Sequence, residues 1–439
     1  MKYYLAIDIG ASSGRGMLGH VENGEIFLEE IYRFDNYLIK KNESLFWDIA
    51  KIYNSIILML KKCKEINKIP ESLGIDTFGV DYCLLDCNDQ LVRNIYSYRD
   101  SRTIKAKQDF EKIMSIENLY KITGIYPQVF NTLYQLYDDK EKGLITKTKT
   151  IMFLPCYLGY LLTDVKYNEL SIASTSGLLN KDTFDYDKDI LKLLGLNKEN
   201  FANFKNNGEL VGFLTKDIEK EVGYNLKVIN IISHDTGTGV YGSKVETDEL
   251  FLSSGTWSLI GLLDNSYDTR IECYKEGFTN ELNEFGKVRF LQNIVGMLLI
   301  NTLNNECEKL PITEVVEGAK KGSNYKNIFD ATLPRFLAPK SMKEEIDKYF
   351  IEQNITPPQN LNEYYYCIYN SLAHAYKKAI ENIEKLKGKT YKKITIFGGG
   401  SKNKFLNNLT EELTHKKIVI GPSEGSSIGN VMCQLLNKK

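Results

Sequence analysis

The sequence predicts an α/β fold of two similarly built domains that face each other across a cleft. The first observation is a strand, Gly/Ser turn, strand pattern: Tyr3 to Ile9 and Met17 to Phe27 open the chain, and Glu249 to Leu263 repeat it about 240 residues later. The second is that strand-type apolar segments alternate with segments of helical spacing. The 439 residues allow two large domains. We expect an N-terminal domain of residues 1–240 and a C-terminal domain of residues 241–439.

Composition and charge argue against several other classes of protein. Hydrophobic residues make up 43% and charged residues 26% of the chain, which is ordinary for a globular protein. The formal net charge of −1 indicates neither nucleic acid nor a membrane surface as a partner. Eight cysteines without metal-ligand spacing favour reduced thiols. Without a signal sequence or an apolar run of about 20 residues, we expect a cytoplasmic protein.

The turn from Asp8 to Arg15 has the composition of a phosphate site. Gly10 and Gly14 permit positive φ angles and close approach, the two serines between them supply hydroxyl donors, and Arg15 offers a forked cation. Asp8 precedes the bend, where a carboxylate can hold Mg²⁺ through water. An ordinary hairpin turn is the alternative, and this stretch alone does not separate the two.

The elements that follow are predicted from spacing. Apolar residues from Ile49 to Cys63 recur on one helical face. Apolar segments flank the acidic stretch from Asp76 to Asp81, and strand ends of α/β sheets carry sites. From Thr103 to Leu194 the pattern is mostly helical, and the polar clusters Asn131 to Leu136 and Ile172 to Ser176 are predicted as loops and caps.

A buried strand is predicted from Val228 to Ile232, followed directly by the segment from Ser233 to Gly239. Asp235 therefore lies at a glycine-flanked strand exit, which is a good position for a general base. The run of Ser233, His234 and Asp235 is not a hydrolase triad, because adjacent residues of a strand point to alternate sides.

The second half contains a long helix and a glycine turn. Apolar residues from Tyr365 to Leu386 share one helical face, Gly388 is a C-terminal stop, and His374 is predicted as a surface or packing residue. A strand from Lys393 to Phe397 delivers Gly398 to Ser401, where a nucleotide base or its phosphates can approach the backbone. The chain has no GxxxxGK[ST] motif and neither HRD nor DFG, so we expect a nucleoside triphosphate site of another kind.

Seven segments together carry a resemblance over essentially the whole chain. They are Asp8 to Arg15, Gly74 to Asp81, Tyr98 to Thr103, Phe130 to Leu136, Ser233 to Thr236, Leu252 to Ser258 and Gly398 to Ser401. In this order they resemble the FGGY family of carbohydrate kinases. The resemblance implies two ribonuclease-H-like domains of the actin/hexokinase type, with ATP, Mg²⁺ and a sugar in the cleft between them.

The resemblance also implies roles for single residues. Asp235 would be the catalytic base, and Asp8 would lie near the metal. The sugar would be surrounded by Gly79, Asp81, His234, Asp235, Thr236 and Asn293. The nucleotide would be held by Ala11, Ser12, Ser13, Gly14, Arg15, Thr256, Asn301, Gly399 and Gly400, with Asn301 standing where the family commonly has glutamine.

The implied reaction is transfer of a phosphoryl group from ATP to L-rhamnulose, giving L-rhamnulose 1-phosphate and ADP, by a monomer or weak dimer. Two alternatives stay open: a kinase of another ketose such as L-fuculose, and a non-catalytic nucleotide or sugar sensor of the same fold. Cys156 stands where the family commonly has Asp, and Thr279 to Leu282 lack the usual following glycines. The chain also ends early relative to the family, so we expect a shortened C-terminal element.

Overall fold

Two six-stranded sheets form the centres of two α/β domains in the computed structural model. It describes residues 1–36, 38–337 and 339–437, with no description of the Phe285 side chain. The strands are β1 (Tyr3–Ile9), β2 (Ser13–Glu22), β3 (Glu25–Asp35), β4 (Leu38–Lys41), β5 (Ser44–Trp47), β6 (Pro70–Thr77), β7 (Tyr82–Leu85), β8 (Thr150–Phe153), β9 (Asn168–Glu169), β10 (Leu179–Asn180), β11 (Asp185–Tyr186), β12 (Phe204–Lys205), β13 (Leu210–Phe213), β14 (Lys227–Ile229), β15 (Leu250–Ser254), β16 (Trp257–Asp264), β17 (Phe278–Leu282), β18 (Val288–Val295), β19 (Lys393–Phe397) and β20 (Lys417–Ile420).

Helices cover the faces of both sheets. They are α1 (Ile49–Glu65), α2 (Thr103–Phe110), α3 (Ile116–Thr123), α4 (Thr132–Glu141), α5 (Leu154–Thr163), α6 (Leu170–Ser174), α7 (Lys188–Leu193), α8 (Lys216–Val222), α9 (Asp235–Gly242), α10 (Ile271–Lys275), α11 (Leu298–Glu306), α12 (Ile312–Lys321), α13 (Met342–Glu352), α14 (Leu361–Lys387), α15 (Lys404–Thr414) and α16 (Gly425–Leu435). Among the described residues, no helix has the length and apolarity that crossing a membrane requires. All eight cysteines are free thiols, as predicted.

The two sheets repeat one strand order. In the N-terminal sheet β1, β2 and β3 form an antiparallel meander, while β6 and then β14 add parallel to β1, giving the order β13-β14-β6-β1-β2-β3. In the C-terminal sheet β15, β16 and β18 form the meander and β19 and β20 add parallel to β15. The predicted pair of similarly built domains is confirmed by this duplication.

Several predicted elements differ from the structure in detail. The second extended segment, from Met17 to Phe27, is two strands, because Asn23 and Gly24 turn the chain with φ angles of 51° and 82°. An Asn-Gly pair is a strong hairpin signal that could have placed this turn. The polar clusters predicted as loops lie largely in helices, since Thr132 begins α4 and α6 spans Leu170–Ser174.

Asp48 and Gly388 cap the long helices α1 and α14, and of these two caps Gly388 was predicted. Asp48 accepts a hydrogen bond from the Lys51 amide at the start of α1, which satisfies a free N–H of the first turn. Gly388 ends α14 with a left-handed φ of 62°, a conformation that glycine adopts without steric cost. His374 lies on α14, where its Nδ1 is 2.9 Å from the Asn370 carbonyl oxygen, in keeping with a packing role.

The last helix of the chain packs on the first domain's sheet and so joins the two halves. On α16, Gln434 Nε2 donates to the Leu5 carbonyl at 3.0 Å, and Asn430 Nδ2 donates to the Gly74 carbonyl at 3.1 Å. Helices α16 and α9 pack through glycine: a Cβ on Gly242 would lie 2.0 Å from the Gly425 carbonyl oxygen. This close approach holds α9, which begins at Asp235, between the domains.

Candidate active site

A cavity of about 290 Å³ lies in the cleft where strands of both sheets end, and we call it the cleft cavity. Its wall includes Asp8, Arg15 and Asp235 from the first domain and Thr256 and Gly399 from the second. The strand order explains this meeting point, because the carboxyl ends of parallel strands lie at one edge of a sheet.

Asp235 occupies the first position of α9, on the cleft cavity. Its Oδ1 accepts hydrogen bonds from the Thr236 amide at 2.5 Å and the Thr236 hydroxyl at 3.2 Å. Burial raises the pKa of the Asp235 carboxyl above its ordinary value, and the nearby Asp8 carboxylate raises it further. These bonds hold one carboxylate oxygen in place, which is the positioning that a general base requires.

The turn between β1 and β2 places Asp8 and Arg15 opposite each other on neighbouring strands. Asp8 Oδ2 accepts from Arg15 Nη2 at 2.8 Å and from Ser426 Oγ at 2.6 Å. Arg15 Nη1 also pairs with Glu424, from the segment just before α16. Burial lowers the pKa of Arg15, but Asp8 and Glu424 more than offset this effect, so the guanidinium pKa lies above its ordinary value.

Asp76 is a buried carboxylate that the sequence analysis did not select as a site residue. It is the register partner of Asp8 across β1 and β6, and its Oδ2 accepts from Asn430 Nδ2 at 2.7 Å. Asp76 Oδ1 has no hydrogen-bond partner in the described part of the chain. Burial, and then the charges of Asp8 and Asp235, raise the pKa of Asp76 well above the ordinary carboxyl value.

A second polar cluster lies beside Asp235 and comes partly from the C-terminal domain. Glu281 on β17 and Arg289 on β18 are cross-strand partners, and Arg289 Nη2 donates to Glu281 Oε2 at 3.0 Å. The same Nη2 is 3.0 Å from Nδ1 of His234, whose Nε2 is 3.5 Å from Asp235 Oδ1. Arg289 carried no sequence signal, because it is one charged residue within a strand, and Glu281 was noted only as part of the segment from Thr279 to Leu282.

Four aromatic side chains form an apolar wall across the cleft cavity. The ring centroids of Phe78 and Tyr98 are 5.7 Å apart, those of Tyr98 and Phe130 are 5.9 Å apart, and those of Phe130 and Trp257 are 6.1 Å apart. Trp257 begins β16, so the wall crosses from one domain to the other. We call this set the aromatic wall.

Val80 lies beside this wall with an unusual backbone. Its φ is 69°, which is a strained conformation for a β-branched residue. The Val80 amide donates to Thr175 Oγ1 at 3.2 Å, and its carbonyl accepts from Thr132 Oγ1 at 2.6 Å. Strain of this kind costs about 1–3 kcal/mol and persists where surrounding contacts determine the backbone, as at binding sites.

The structure brings together ten of the predicted site residues. The cleft cavity is lined by Asp8, Ala11, Arg15, Gly79, His234, Asp235, Thr236, Thr256, Asn293 and Gly399. Six others do not line it: Ser12, Ser13, Gly14, Asp81, Asn301 and Gly400.

Asp81 is turned away from the cleft cavity by its hydrogen bonds. Its carboxylate accepts from Trp47 Nε1 at 2.6 Å, from the Tyr98 amide at 2.9 Å and from Gln135 Nε2 at 2.9 Å. Burial raises the Asp81 pKa to about 6. The carboxylate thus positions the segments behind the aromatic wall, and its predicted contact with the sugar does not agree with this placement.

The backbone of the first turn differs from what its glycines predicted. Gly10 and Gly14 do not have positive φ angles. A Cβ on Gly14 would lie 2.3 Å from the Phe34 ring, so glycine is required there for packing. Ser12 is exposed, and Ser13 contributes its carbonyl oxygen, which accepts from the Gly10 amide at 2.9 Å. The turn therefore presents Ala11 and Arg15, rather than its hydroxyl groups, to the cleft cavity.

On the nucleotide side, two residues lie outside the cleft cavity for different reasons. Gly400 packs against β15, since a Cβ there would lie 2.2 Å from Ser254 Oγ, whereas Gly399 has open space around the same position. Asn301 is exposed one turn into α11. Glu424 and Ser426, which contact Arg15 and Asp8 of the first turn, were not selected from the sequence.

Comparison with known proteins agrees with this geometry. Residues 3–242 match the N-terminal domain, and residues 250–437 the C-terminal domain, of the FGGY family of carbohydrate kinases. The chain belongs to this family. As a carbohydrate kinase, it transfers a phosphoryl group to a sugar, and the predicted enzyme class is confirmed.

Relatives match over nearly the whole chain. The chain is 39% identical to the rhamnulokinase of Oceanobacillus iheyensis, over 98% of this chain and 92% of that protein. It is 40% identical to the rhamnulokinase of Halalkalibacterium halodurans, over 99% of this chain and 93% of that protein.

Solved structures with lower sequence identity share the fold of this kinase. A xylulose kinase from Lactobacillus acidophilus superposes with a TM-score of 0.81 at 16% identity, covering 100% of this chain and 91% of that chain. A Plasmodium falciparum glycerol kinase with ADP superposes with a TM-score of 0.78 at 16% identity, covering 100% of this chain and 90% of that chain. The predicted two-domain fold of the actin/hexokinase type is confirmed.

Proposed function

We propose that this kinase transfers the γ-phosphoryl group of ATP to the primary hydroxyl of L-rhamnulose, giving L-rhamnulose 1-phosphate and ADP. The observation that carries the proposal is that Asp235 and the Asp8–Arg15 pair line the same cavity from the same domain. The base can then contact the attacking sugar oxygen while the phosphate site holds the γ-phosphoryl group that this oxygen attacks. The two relatives at 39% and 40% identity, both named rhamnulokinase, support the choice of sugar.

The sugar would lie between the polar residues around Asp235 and the aromatic wall. Gly79, His234, Thr236 and Asn293 offer polar contacts to hydroxyl groups. A 6-deoxy ketose also has a methyl group, and the aromatic wall gives this apolar end a surface that excludes water. A methyl group in an apolar pocket is worth about 1–3 kcal/mol, so the wall favours a 6-deoxy ketose over one ending in a hydroxymethyl group.

Asp235 would accept the proton of the primary hydroxyl while that oxygen attacks the γ-phosphorus in line. Phosphoryl transfer has a loose transition state, so the base contributes mainly by orienting the nucleophile. The Thr236 amide and hydroxyl hold Asp235 Oδ1 for this purpose. Arg15 would stabilise the charge on the transferred phosphoryl oxygens with its forked N–H groups.

The acidic groups next to the phosphate turn suit Mg²⁺ held partly through water. No cluster of three or more His, Cys, Asp or Glu side chains among the described residues could bind a metal by itself. Mg²⁺ needs only one or two carboxylates when it keeps waters and shares phosphate oxygens. Asp8 and the unpartnered Asp76 Oδ1 fit that requirement. When bound, Mg²⁺ neutralises charge on the β- and γ-phosphate oxygens.

The test is a panel of ketoses with ADP formation as the readout. L-rhamnulose should give a kcat/KM at least about tenfold above that of L-xylulose, which ends in a hydroxymethyl group, and a higher kcat/KM than L-fuculose, which has the same methyl group but a different hydroxyl configuration. A higher value for L-fuculose would replace the proposed substrate and keep the kinase. ATP binding without sugar-dependent ADP formation would instead favour a non-catalytic sensor, although a sensor has no need of the proton acceptor at Asp235.

We further propose that the enzyme works in the cytoplasm as a monomer or weak dimer. The division of the chain into domains at residue 240 stays a prediction. Size-exclusion chromatography with light scattering would measure the oligomeric state.

A further inference from the structure

The cluster of Arg289, Glu281 and His234 has a role that the proposed reaction does not yet use. Arg289 is fully buried and Glu281 nearly so. Both come from the C-terminal sheet, yet they contact His234, which immediately precedes α9 in the N-terminal half. A buried guanidinium is costly unless its N–H groups are paired, so its position indicates a specific function.

The hydrogen-bond chemistry of Arg289 fixes the form of the His234 ring. A guanidinium only donates hydrogen bonds, and it stays charged in proteins. Arg289 Nη2 is 3.0 Å from His234 Nδ1, so this nitrogen must accept and cannot carry the proton. The competing contact, from Nδ1 to Glu281 Oε2, is longer at 3.4 Å. The ring proton therefore belongs on Nε2.

The Nε2 side of the ring faces the cleft cavity. His234 Nε2 is 3.5 Å from Asp235 Oδ1, and a Cβ added to Gly79 would lie 3.4 Å from Nε2. Gly79 and Asp235 both line the cleft cavity. An N–H at this position can donate to a sugar oxygen next to the catalytic base.

An independent observation shows that α9 is shaped around the guanidinium. A Cβ on Gly237, in the first turn of α9, would lie 1.9 Å from Arg289 Nη1. The same Nη1 donates to Asn283 Oδ1 at 3.1 Å. Glycine at position 237 thus leaves room for the arginine directly behind the residue that acts as base.

We propose that Arg289 is a positioning residue that holds His234 as the neutral Nε2–H tautomer, so that His234 donates a hydrogen bond to the sugar. The proposal rests on the proposed role of His234 in sugar binding. It also links the domains, because a residue of the C-terminal sheet sets the donor pattern of a residue in the N-terminal half.

The direct test is nuclear magnetic resonance of the intact protein labelled with ¹⁵N at its histidine rings. The chain has four histidines, so the His234 signals can be assigned by their loss in His234→Gln. We expect a protonated Nε2 and an unprotonated Nδ1 at His234 in the unsubstituted protein. A proton on Nδ1 would overturn the proposal, and this measurement needs no variant of Arg289 to fold.

Substitution of Arg289 then tests whether this residue is the cause of the His234 tautomer. In Arg289→Met the ring proton should move to Nδ1, toward Glu281, and the KM for the ketose should rise about tenfold or more while the KM for ATP changes less than about twofold. Arg335→Met is the matched control, since Arg335 pairs with Glu345 and Glu352 and does not line the cleft cavity. An unchanged tautomer and unchanged ketose KM in Arg289→Met would exclude the proposed role.

Glu281→Gln separates the two neighbours of Nδ1. Glu281 can only accept, so by itself it would favour a proton on Nδ1, and removing its charge should leave the Nε2–H form in place. Loss of the Nε2–H form in this variant would contradict the proposal. A failure of the proposed function would give a different result: the unsubstituted enzyme would not phosphorylate the ketose, whatever tautomer His234 adopts.

Discussion

Ser426 Oγ donates a hydrogen bond of 2.6 Å to Asp8 Oδ2, although the two residues are 418 positions apart in the sequence. Arg15 joins the same group through Asp8 and through Glu424. The start of the last helix therefore completes the phosphate turn of the first hairpin. The cation that would bind phosphate is paired with two carboxylates.

Glu424→Gln should tighten nucleotide binding. The substitution removes a negative charge that pairs with Arg15 and would repel phosphate oxygens. We expect the Kd for ADP, measured by isothermal titration calorimetry, to fall about threefold to tenfold. Glu412→Gln on the exposed face of α15 is the control. A weaker affinity in Glu424→Gln would mean that Glu424 orients Arg15 rather than competing for it.

Asp235→Asn should abolish most turnover and leave nucleotide binding intact. The amide keeps the shape of the carboxylate but cannot accept the hydroxyl proton, so kcat should fall at least about a hundredfold. ADP formation gives kcat, and calorimetry should give an ADP Kd within about twofold of the unsubstituted value. The exposed Asp189→Asn is the control. A near-normal kcat would remove Asp235 from the mechanism.

Gly399 and Gly400 should respond differently to alanine. A Cβ at Gly400 would overlap Ser254, so Gly400→Ala should lower the free energy of unfolding by about 1–3 kcal/mol. Gly399 has free space but lines the cleft cavity, so Gly399→Ala should keep its stability and raise the KM for ATP severalfold. Urea unfolding and ADP formation measure the two effects. Equal losses of stability would contradict this assignment.

Asp81 should make stability depend on pH in a predictable direction. Its pKa rises from 3.8 to about 6 on folding, so the folded state binds its proton more tightly than the unfolded state. Stability from this group is complete below about pH 4 and is lost as pH rises through about 6.

Relative to Asp81→Asn, the native protein should therefore lose about 2 kcal/mol of unfolding free energy between about pH 4 and pH 7. Urea unfolding at several pH values measures this difference, and the exposed Asp217→Asn is the control. A difference between native protein and variant that does not change with pH would show that Asp81 does not titrate in this range.

Predictions from the local sequence agreed with the structure where the whole signal lies within a single helix or strand. Helical spacing located α1 and α14, Gly388 predicted the end of α14, and β19 was predicted with its observed bounds. The Asn23–Gly24 turn was missed although its signal is local. Arg289 could not be found in this way, because a charged residue in a strand shows its partners only after the sheets have formed. Asp76 was placed at a strand end, but its partners could not be predicted.

The sequence by itself determined the two-domain plan, the family and the residues at strand exits that approach the cleft, since these depend on periodicity and on short motifs. Only the tertiary structure decided which of them share the cleft cavity. Asp81 lay in a matching motif but bonds to Trp47, and Glu424 lay in an unremarked loop but pairs with Arg15. Hydrogen bonds and ion pairs depend on distance in space, which a linear pattern does not contain.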